Sequence, residues 1–311
     1  MQQKMEYKCI LDEKTLKKAK EELNEDPNDR LAAVDSLRKW ISEQKYIKCN
    51  TSVEFLLPFL RTAKFSQLRA RSILEGYHKT LVENPKWFAN IDICDKSILK
   101  FLNQGCMFPL PGKDKEGRTL VFQRISAMDL KTEPSVLMRA FWALFIYLRR
   151  DEYLQVHGLK LIADCTGYTM KHFNIIPFED RKKMQKFWQG NTPYRFKGSI
   201  MYNIGPIFDT IFSLLKPIIS KKFQSRMHVI SNFEEVYQQV DMKYIPNEYL
   251  PDDYTGERAG TCHEINEKFI EDISKYREFI LEATDDLKYG IDLALKDKSV
   301  PEQSFRKLNV E

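Results

Sequence analysis

With 311 residues, 43% of them hydrophobic and 30% charged, and with only 12 glycines and 13 prolines, the chain has an ordinary globular composition, which excludes the collagen-like, low-complexity and natively disordered classes. A chain of this length buries roughly 75% of its unfolded surface, so a full core is available to one large domain or two modest ones. The net charge of +5 permits attraction to acidic membranes or nucleic acid but demands neither, because what counts is whether the cations cluster.

Residues 12–88 read as a bundle of short helices. Asp26-Pro27 and Asn28-Asp29 make a helix start, after which Leu31, Val34, Leu37, Trp40 and Ile41 fall on one side. A second helix carries Phe55, Leu56, Phe59 and Leu60, and a third runs from Ser66 through Leu68, Ile73, Leu74 and Tyr77 to Leu81, ending at Asn84-Pro85. Arg61, Arg69 and Arg71 on these helices look like a basic patch; a solvated face or local ion pairs is the favoured reading and a membrane role the alternative.

After a linker near residues 89–95, strands alternate with helices. Asp114-Lys115-Glu116-Gly117-Arg118 is a turn and Thr119–Ile125 a strand; a helix over 134–156 follows, with Val136, Met138, Phe141, Trp142, Phe145, Ile146 and Leu148 giving it a broad apolar surface. Leu159–Cys165 is a strand apolar on both faces, as inside a covered sheet. A helix over Phe178–Gln189 leads to a strand at Ser199–Ile204. Gly205-Pro206 then opens a helix in which Phe208, Ile211, Phe212 and Leu215 recur at i, i+3, i+4 and i+7 until Pro217. Ile207, Leu214, Ile218 and Ile219 widen its apolar surface beyond the need of a surface helix. Arg195 and Lys197 precede it, and Lys221, Lys222 and Arg226 follow it. An apolar helix bracketed by cations fits a lid over a lipid pocket beside an anionic membrane; the plainer alternative is a core helix with a charged edge. Met227–Ile230 is a last strand of this part. Helix returns from His263 to about Leu295, and the final fifteen residues are polar and loose. The alternation predicts an α/β fold with a sheet and crossover helices.

The usual catalytic signatures do not occur. There is no G-x-G-x-x-G, no G-x-x-x-x-G-K-[ST] and no G-x-S-x-G. Cys165 follows a strand, but Asp164 stands where a thiol phosphatase needs histidine and Lys171 where it needs arginine. His157, His172 and His228 are isolated and read as hydrogen-bonded structural residues. Cys9, Cys49, Cys94, Cys106, Cys165 and Cys262 form no C-x-x-C pair, so reduced thiols and no metal site are expected. Met1-Gln2-Gln3-Lys4 lacks the apolar core of a secretory signal, and the longest apolar run, Ala140–Leu148, is too short to span a bilayer, so a soluble cytosolic protein is expected. Nucleic-acid binding is disfavoured, since aromatic and basic residues are not interleaved.

Six segments in order resemble the CRAL-TRIO lipid-transfer family, in its alpha-tocopherol-transfer and retinaldehyde-binding branch, over about residues 28–260. Leu57-Pro58-Phe59-Leu60-Arg61-Thr62-Ala63-Lys64-Phe65 is similar to an F-L-R-A-x-K-F helix end, and Asp114-x-x-Gly117-Arg118 to D-x-x-G-R-P-V with Thr119 in place of proline. Gly158–Asp164 with Gly167 matches a strand and D-x-x-G turn, and Pro193-Tyr194-Arg195-Phe196-Lys197-Gly198 matches P-x-[KR]-x-[KR]-G. Phe208–Pro217 resembles the mobile gate helix, and Leu250-Pro251-Asp252-Asp253-Tyr254-Thr255-Gly256 resembles L-P-x-E-Y-G-G with two changes.

The resemblance implies an N-terminal helical domain over 1–90, a lipid-binding domain over 91–260 with a mostly parallel sheet, crossover helices and a gate helix, and a C-terminal helix with a polar tail over 261–311. It implies a non-catalytic, cytoplasmic monomer, peripheral at membranes, that needs no cofactor, holds one hydrophobic ligand and exchanges it at phosphoinositide-containing membranes. Arg195, Lys197, Lys222 and Arg226 are the implied phosphoinositide-binding residues. Arg195 and Lys197 share one face of an extended stretch, and Lys222 and Arg226 would share one of a helix; ion pairing with Glu234 and Glu235 is the alternative. Phe208, Ile211, Phe212 and Leu215 form the implied gate. An apolar pocket is expected between the sheet and the helices at 136–148 and 206–216, lined by Phe141, Trp142, Phe145, Leu161, Ala163, Tyr168, Ile176, Met184, Phe187, Trp188 and Tyr194. Its aromatic character suits a tocopherol, retinoid or carotenoid-like isoprenoid; a phospholipid or phosphoinositide ligand, or a protein-interaction module of the same fold, is the rival reading.

Overall fold

Hydroxyl and carboxylate caps start most of the N-terminal helices. Asp12 accepts the Thr15 N–H at 2.7 Å to begin α1 (Glu13–Leu23), which α2 (Arg30–Glu43) follows. After a short strand β1 (Ile47–Lys48), Ser52 caps α3 (Val53–Thr62) and Ser66 caps α4 (Gln67–Glu83); α5 (Pro85–Phe88) carries proline at its first position. The computed structural model describes residues 7–299; of the fifteen tail residues expected to be loose, 297–299 belong to a helix and 300–311 lie outside the described residues.

The segment after the expected linker is itself helical: Asp95 accepts from the backbone N–H groups of Ser97 and Ile98 and starts α6 (Lys96–Leu102). Then come β2 (Met107–Lys113) and β3 (Thr119–Arg124), joined by the Asp114 turn. Strand β2 escapes sequence reading because Pro109 and Pro111 interrupt it. It tolerates them as an edge strand, with its register shifting between Pro109 and Lys113. The helix expected over 134–156 is two, α7 (Pro134–Leu148) and α8 (Glu152–His157). Asp151 breaks it, its carboxylate taking the Tyr153 N–H at 2.8 Å to cap a new helix.

The crossovers continue with β4 (Leu159–Asp164), α9 (Met170–Asn174), α10 (Phe178–Gly190), β5 (Phe196–Tyr202), α11 (Ile207–Leu215), α12 (Lys221–Gln224) and β6 (Met227–Ile230). Strands β2 to β6 form one sheet in sequence order; β2 and β3 are antiparallel and the remaining pairs parallel. After α13 (Glu234–Tyr237), the C-terminal helix is interrupted. It comprises α14 (Cys262–Ser274) and α15 (Arg277–Ala283), and then β7 (Gly290–Ile291), which pairs with β1, and α16 (Leu293–Ser299).

The breadth of the α7 apolar surface has a packing cause. Trp142, Leu144 and Ile146 are buried along with their neighbours, because α5, α6 and α15 cover the sides of α7 that the sheet does not. One apolar core runs without interruption from α2–α4 through α7 into the sheet. A smaller cluster, Leu11, Ala19, Leu23 and Val156, fastens α1 onto α8. Beside it lies a buried ion network. Arg61, wholly inaccessible, donates to Glu25 and Glu152 at 2.9 Å and to Gln155 at 2.6 Å, while Arg30 holds Glu25 from the other side. Among the described residues, no helix is long and apolar enough to cross a membrane.

Candidate functional site

A cavity of about 330 Å³ lies between the sheet, α7 and α10. Leu159 and Leu161 of β4 form its floor, Phe141, Trp142 and Phe145 of α7 one wall, and Met184, Phe187 and Trp188 of α10 the other, with Ile176 between. The rings interlock at 5.3 Å for Trp142–Phe187 and 4.4 Å for Phe145–Trp188. Three buried polar atoms here have no hydrogen-bond partner among the described residues: Trp142 Nε1, Arg181 Nε and Gln185 Oε1. Such buried groups normally find partners.

Eight of the eleven expected lining residues meet in this cavity; Ala163, Tyr168 and Tyr194 do not line it. Ala163 continues the Leu159–Leu161 face of β4 to its end, where it packs with Cys165, Ile204, Tyr168 and, from α11, Ile207 and Phe208. Tyr194 is buried behind Phe145, to whose carbonyl its hydroxyl donates at 2.7 Å. The expectation that the pocket lies under residues 206–216 also needs correcting. Among the lining residues there is none from α11; its cover is α10 with Phe196 and Phe223, whose rings stack at 4.6 Å. On α11, Ile211 is buried and Phe208 stacks on Phe212 at 5.3 Å, while Leu215 is half-buried and Leu214 exposed.

The four implied phosphoinositide residues come together in a neighbouring cleft of about 280 Å³. Arg195 and Lys197 enter from β5 and its approach, Lys222 from α12, and Arg226 from the turn before β6, where its guanidinium also reaches the Phe196 carbonyl. Lys64 joins them from the α3–α4 connection, in which Lys64 and Phe65 both adopt positive φ, and Arg69 from the first turn of α4. In the sequence Arg69 belongs to a basic patch favoured as a solvated face or local ion pairs, and Lys64 carries no signal beyond its place inside the F-L-R-T-A-K-F segment. Among the described residues lining the cleft, six cations thus face one acid, Glu22 of α1, which lies 2.9 Å from Arg195 and 3.5 Å from Lys197. The partner acid is therefore Glu22 and not Glu234 or Glu235. Partial burial first, and then the charges of Arg226, Arg69, Lys64 and Arg195, push the Lys222 amine down.

A glycine makes this convergence possible. Gly158 has φ +87°, and a Cβ there would stand 2.4 Å from the Arg195 carbonyl oxygen. Gly158→Ala is therefore expected to cost about 2–4 kcal/mol, read as a fall in the urea midpoint, and to weaken anion binding at the cleft.

A family model described as CRAL/TRIO domain matches residues 103–250, and another described as Pinta-like, UBA domain matches residues 26–98. A Homo sapiens protein named alpha-tocopherol transfer protein-like is 31% identical over 250 residues, which cover 78% of this chain and 71% of that protein. The chain belongs to the CRAL-TRIO family, whose members bind and transfer lipids. Clavesin-1 of Xenopus laevis is 25% identical over 242 residues, 77% of this chain and 73% of its own. The solved structure titled "Crystal structure of Sfh5" superposes with a TM-score of 0.52 at 10% identity, covering 88% of this chain and 98% of that one, which speaks to the CRAL-TRIO fold alone.

Within this CRAL-TRIO fold the motif turns hold the frame of the site. Asp114 accepts the Arg118 N–H at 2.8 Å, and Asp164 accepts both the Thr166 N–H at 2.9 Å and the Tyr249 hydroxyl at 2.6 Å. His157 bridges Thr15 and the Glu116 carbonyl, fastening α1 to the sheet's near end.

Proposed function

We propose that this CRAL-TRIO protein carries one amphipathic lipid, of the ring-bearing isoprenoid class, in the 330 Å³ cavity and exchanges it at phosphoinositide-bearing membranes as a peripheral cytoplasmic monomer, without chemistry on the cargo. The observation that carries this reading is a shared partition: Trp188, Phe196 and Phe223 line both the apolar cavity and the basic cleft. Lys197 and Lys222 adjoin Phe196 and Phe223 in the chain, so an anionic head group gripped by the lysines pulls on the stack that covers the cargo. The aromatic walls suit a ring system, and the unpartnered Trp142, Arg181 and Gln185 atoms suit a hydroxyl on it. The name of the human relative fits such a cargo. Outside, the apolar face of α11, with Phe208, Ile211, Phe212 and Leu215, would meet the bilayer as the gate moves.

Mass spectrometry of an organic extract of natively purified protein identifies the cargo. Trp188→Glu, which places a charge in the cavity wall, is expected to weaken uptake of a fluorescent tocopherol analogue by more than about a hundredfold with circular dichroism unchanged. Undiminished uptake by that folded variant would overturn the assignment of the cavity.

A further inference from the structure

A second cavity, of about 340 Å³, lies among α3, α4, α8 and α15 and shares no lining residue with the first cavity or the basic cleft. Phe55, Leu57, Leu81, Phe279 and Ala283 make much of its wall apolar. Arg149, only 5% exposed, reaches it from the break between α7 and α8. Its guanidinium donates to the Tyr77 hydroxyl at 3.3 Å and rests over the Phe55 ring at 5.1 Å, and among the described residues no carboxylate lies within 4.0 Å of it.

The surroundings supply no counter-charge. The buried network next to it is already balanced, Arg30 and Arg61 against Glu25 and Glu152. Burial pushes the Cys49 thiol up to about 12 and the Tyr77 and Tyr194 hydroxyls upward too, so all three are neutral at pH 7. Three carboxylates do reach the cavity wall. Glu152 is held by Arg61 at 2.9 Å and Tyr7 at 2.7 Å, Glu282 is paired with Lys288, and Glu54 is exposed. His78, 2% exposed, lines the same cavity, and among the described residues neither of its ring nitrogens has a hydrogen-bond partner. Burial, and then the charge of Arg149, push it down to about 4, so at pH 7 it is a neutral imidazole with one N–H to donate. A buried cation without an anion and a buried imidazole without an acceptor are each costly; together, beside a cavity of small-ligand size, they describe a missing partner.

We infer that this cavity is a second binding site, which takes an amphipathic organic carboxylate, its head held by Arg149 and His78 and its hydrocarbon laid against Phe55, Leu81 and Phe279. The planar guanidinium fork matches the two oxygens of a carboxylate, which a hydroxyl or an amine does not. Arg150, stacked over the Tyr276 ring at 3.2 Å, adds a second positive charge to the wall.

The test uses the full-length protein and decanoate carrying ¹³C at its carboxyl, with 1-decanol as the uncharged probe. Decanoate is expected to bind at one site at least tenfold more tightly than decanol. That affinity should fall at least tenfold in Arg149→Met, which keeps the side chain's length without its charge, and in Ala283→Phe, which narrows the cavity from α15. Binding should persist in Trp188→Glu, whose change lies in the other cavity. Equal affinity for decanol and decanoate, unchanged binding in Arg149→Met, or binding lost in Trp188→Glu alone would overturn the site. Without decanoate, Arg149→Met is expected to melt at or above the wild-type temperature, because an uncompensated buried charge has been removed. A lower melting temperature would show that the guanidinium is already satisfied, and would overturn the inference equally.

Discussion

Replacing Arg61 with alanine is expected to destabilise the fold by about 3–5 kcal/mol, because it leaves buried carboxylates behind without their cation. Among the described residues, Glu152 would keep the Tyr7 hydroxyl and a long contact with the Cys9 thiol, and Glu25 would keep Arg30 alone. The change also unties three parts of the chain at once, since Arg61 joins α3 to α8 and to the segment before α2. Equilibrium urea denaturation reads the loss. Arg61→Lys should fall between wild type and alanine, as a point charge cannot serve Glu25 and Glu152 together in the geometry of a guanidinium. A loss below about 1 kcal/mol in the alanine variant would mean that water, not the arginine, satisfies these acids.

The second large effect concerns the basic cleft. Arg195 is a poor residue to remove, because its guanidinium also reaches the Val156 carbonyl and Glu22. Lys64 and Lys222 are exposed and have no ion pair among the described residues, so the pair Lys64→Ala and Lys222→Ala isolates the electrostatics. Each cation beside an acidic membrane is worth about 1 kcal/mol, and the double change should weaken sedimentation with phosphoinositide vesicles by on the order of tenfold to thirtyfold. Added salt should mimic it, while affinity for the tocopherol analogue in solution stays put.

Glu22→Gln should act in the opposite sense and tighten vesicle binding, since it removes the one acid that competes for Arg195 and Lys197. Burial raises the Glu22 carboxyl, but the Arg195 hydrogen bond and the Lys197, Lys18 and Arg195 charges outweigh it and hold it below the ordinary glutamate range. The stability from these pairs is thus present above the unfolded glutamate pKa and is lost as pH falls through the lower folded one. Vesicle binding at equal salt should rise over that same acid window, and Glu22→Gln should abolish the rise. Vesicle binding unaltered by either the lysine pair or the glutamine would sink the docking role.

Much of this is legible in the sequence, and the exceptions have physical causes. The core face of α7 and the two-sided burial of β4 follow from period and composition, and the ordered motifs located the turns at Asp114 and Asp164. Pro109 and Pro111 hid β2, because only an edge position reconciles proline with a strand. The break at Asp151 was hidden for the opposite reason: the apolar period runs on into Leu154 and Val156, and only a side-chain cap shows that the helix has restarted. The four cations near α11 were visible as a cluster, since they lie within 32 residues of one another. Glu22 was not, because it stands 173 residues from Arg195 and no local pattern reports a contact of that span. The placement of α11 failed similarly. Its apolar face shows that something must be covered, but not whether the covered surface is the lipid cavity or the end of β4.

The partition of Trp188, Phe196 and Phe223 has one further consequence, on the reading that both of its sides are occupied in turn. Two ligands that deform the same wall are bound by thermodynamic reciprocity: whatever factor the head group takes from cargo affinity, cargo takes from head-group affinity. Unloading at a membrane therefore strengthens the empty protein's hold on that surface, and reloading weakens it. Departure is then timed by the arrival of the next passenger, so the protein would dwell where its cargo is scarce and leave quickly where it is plentiful.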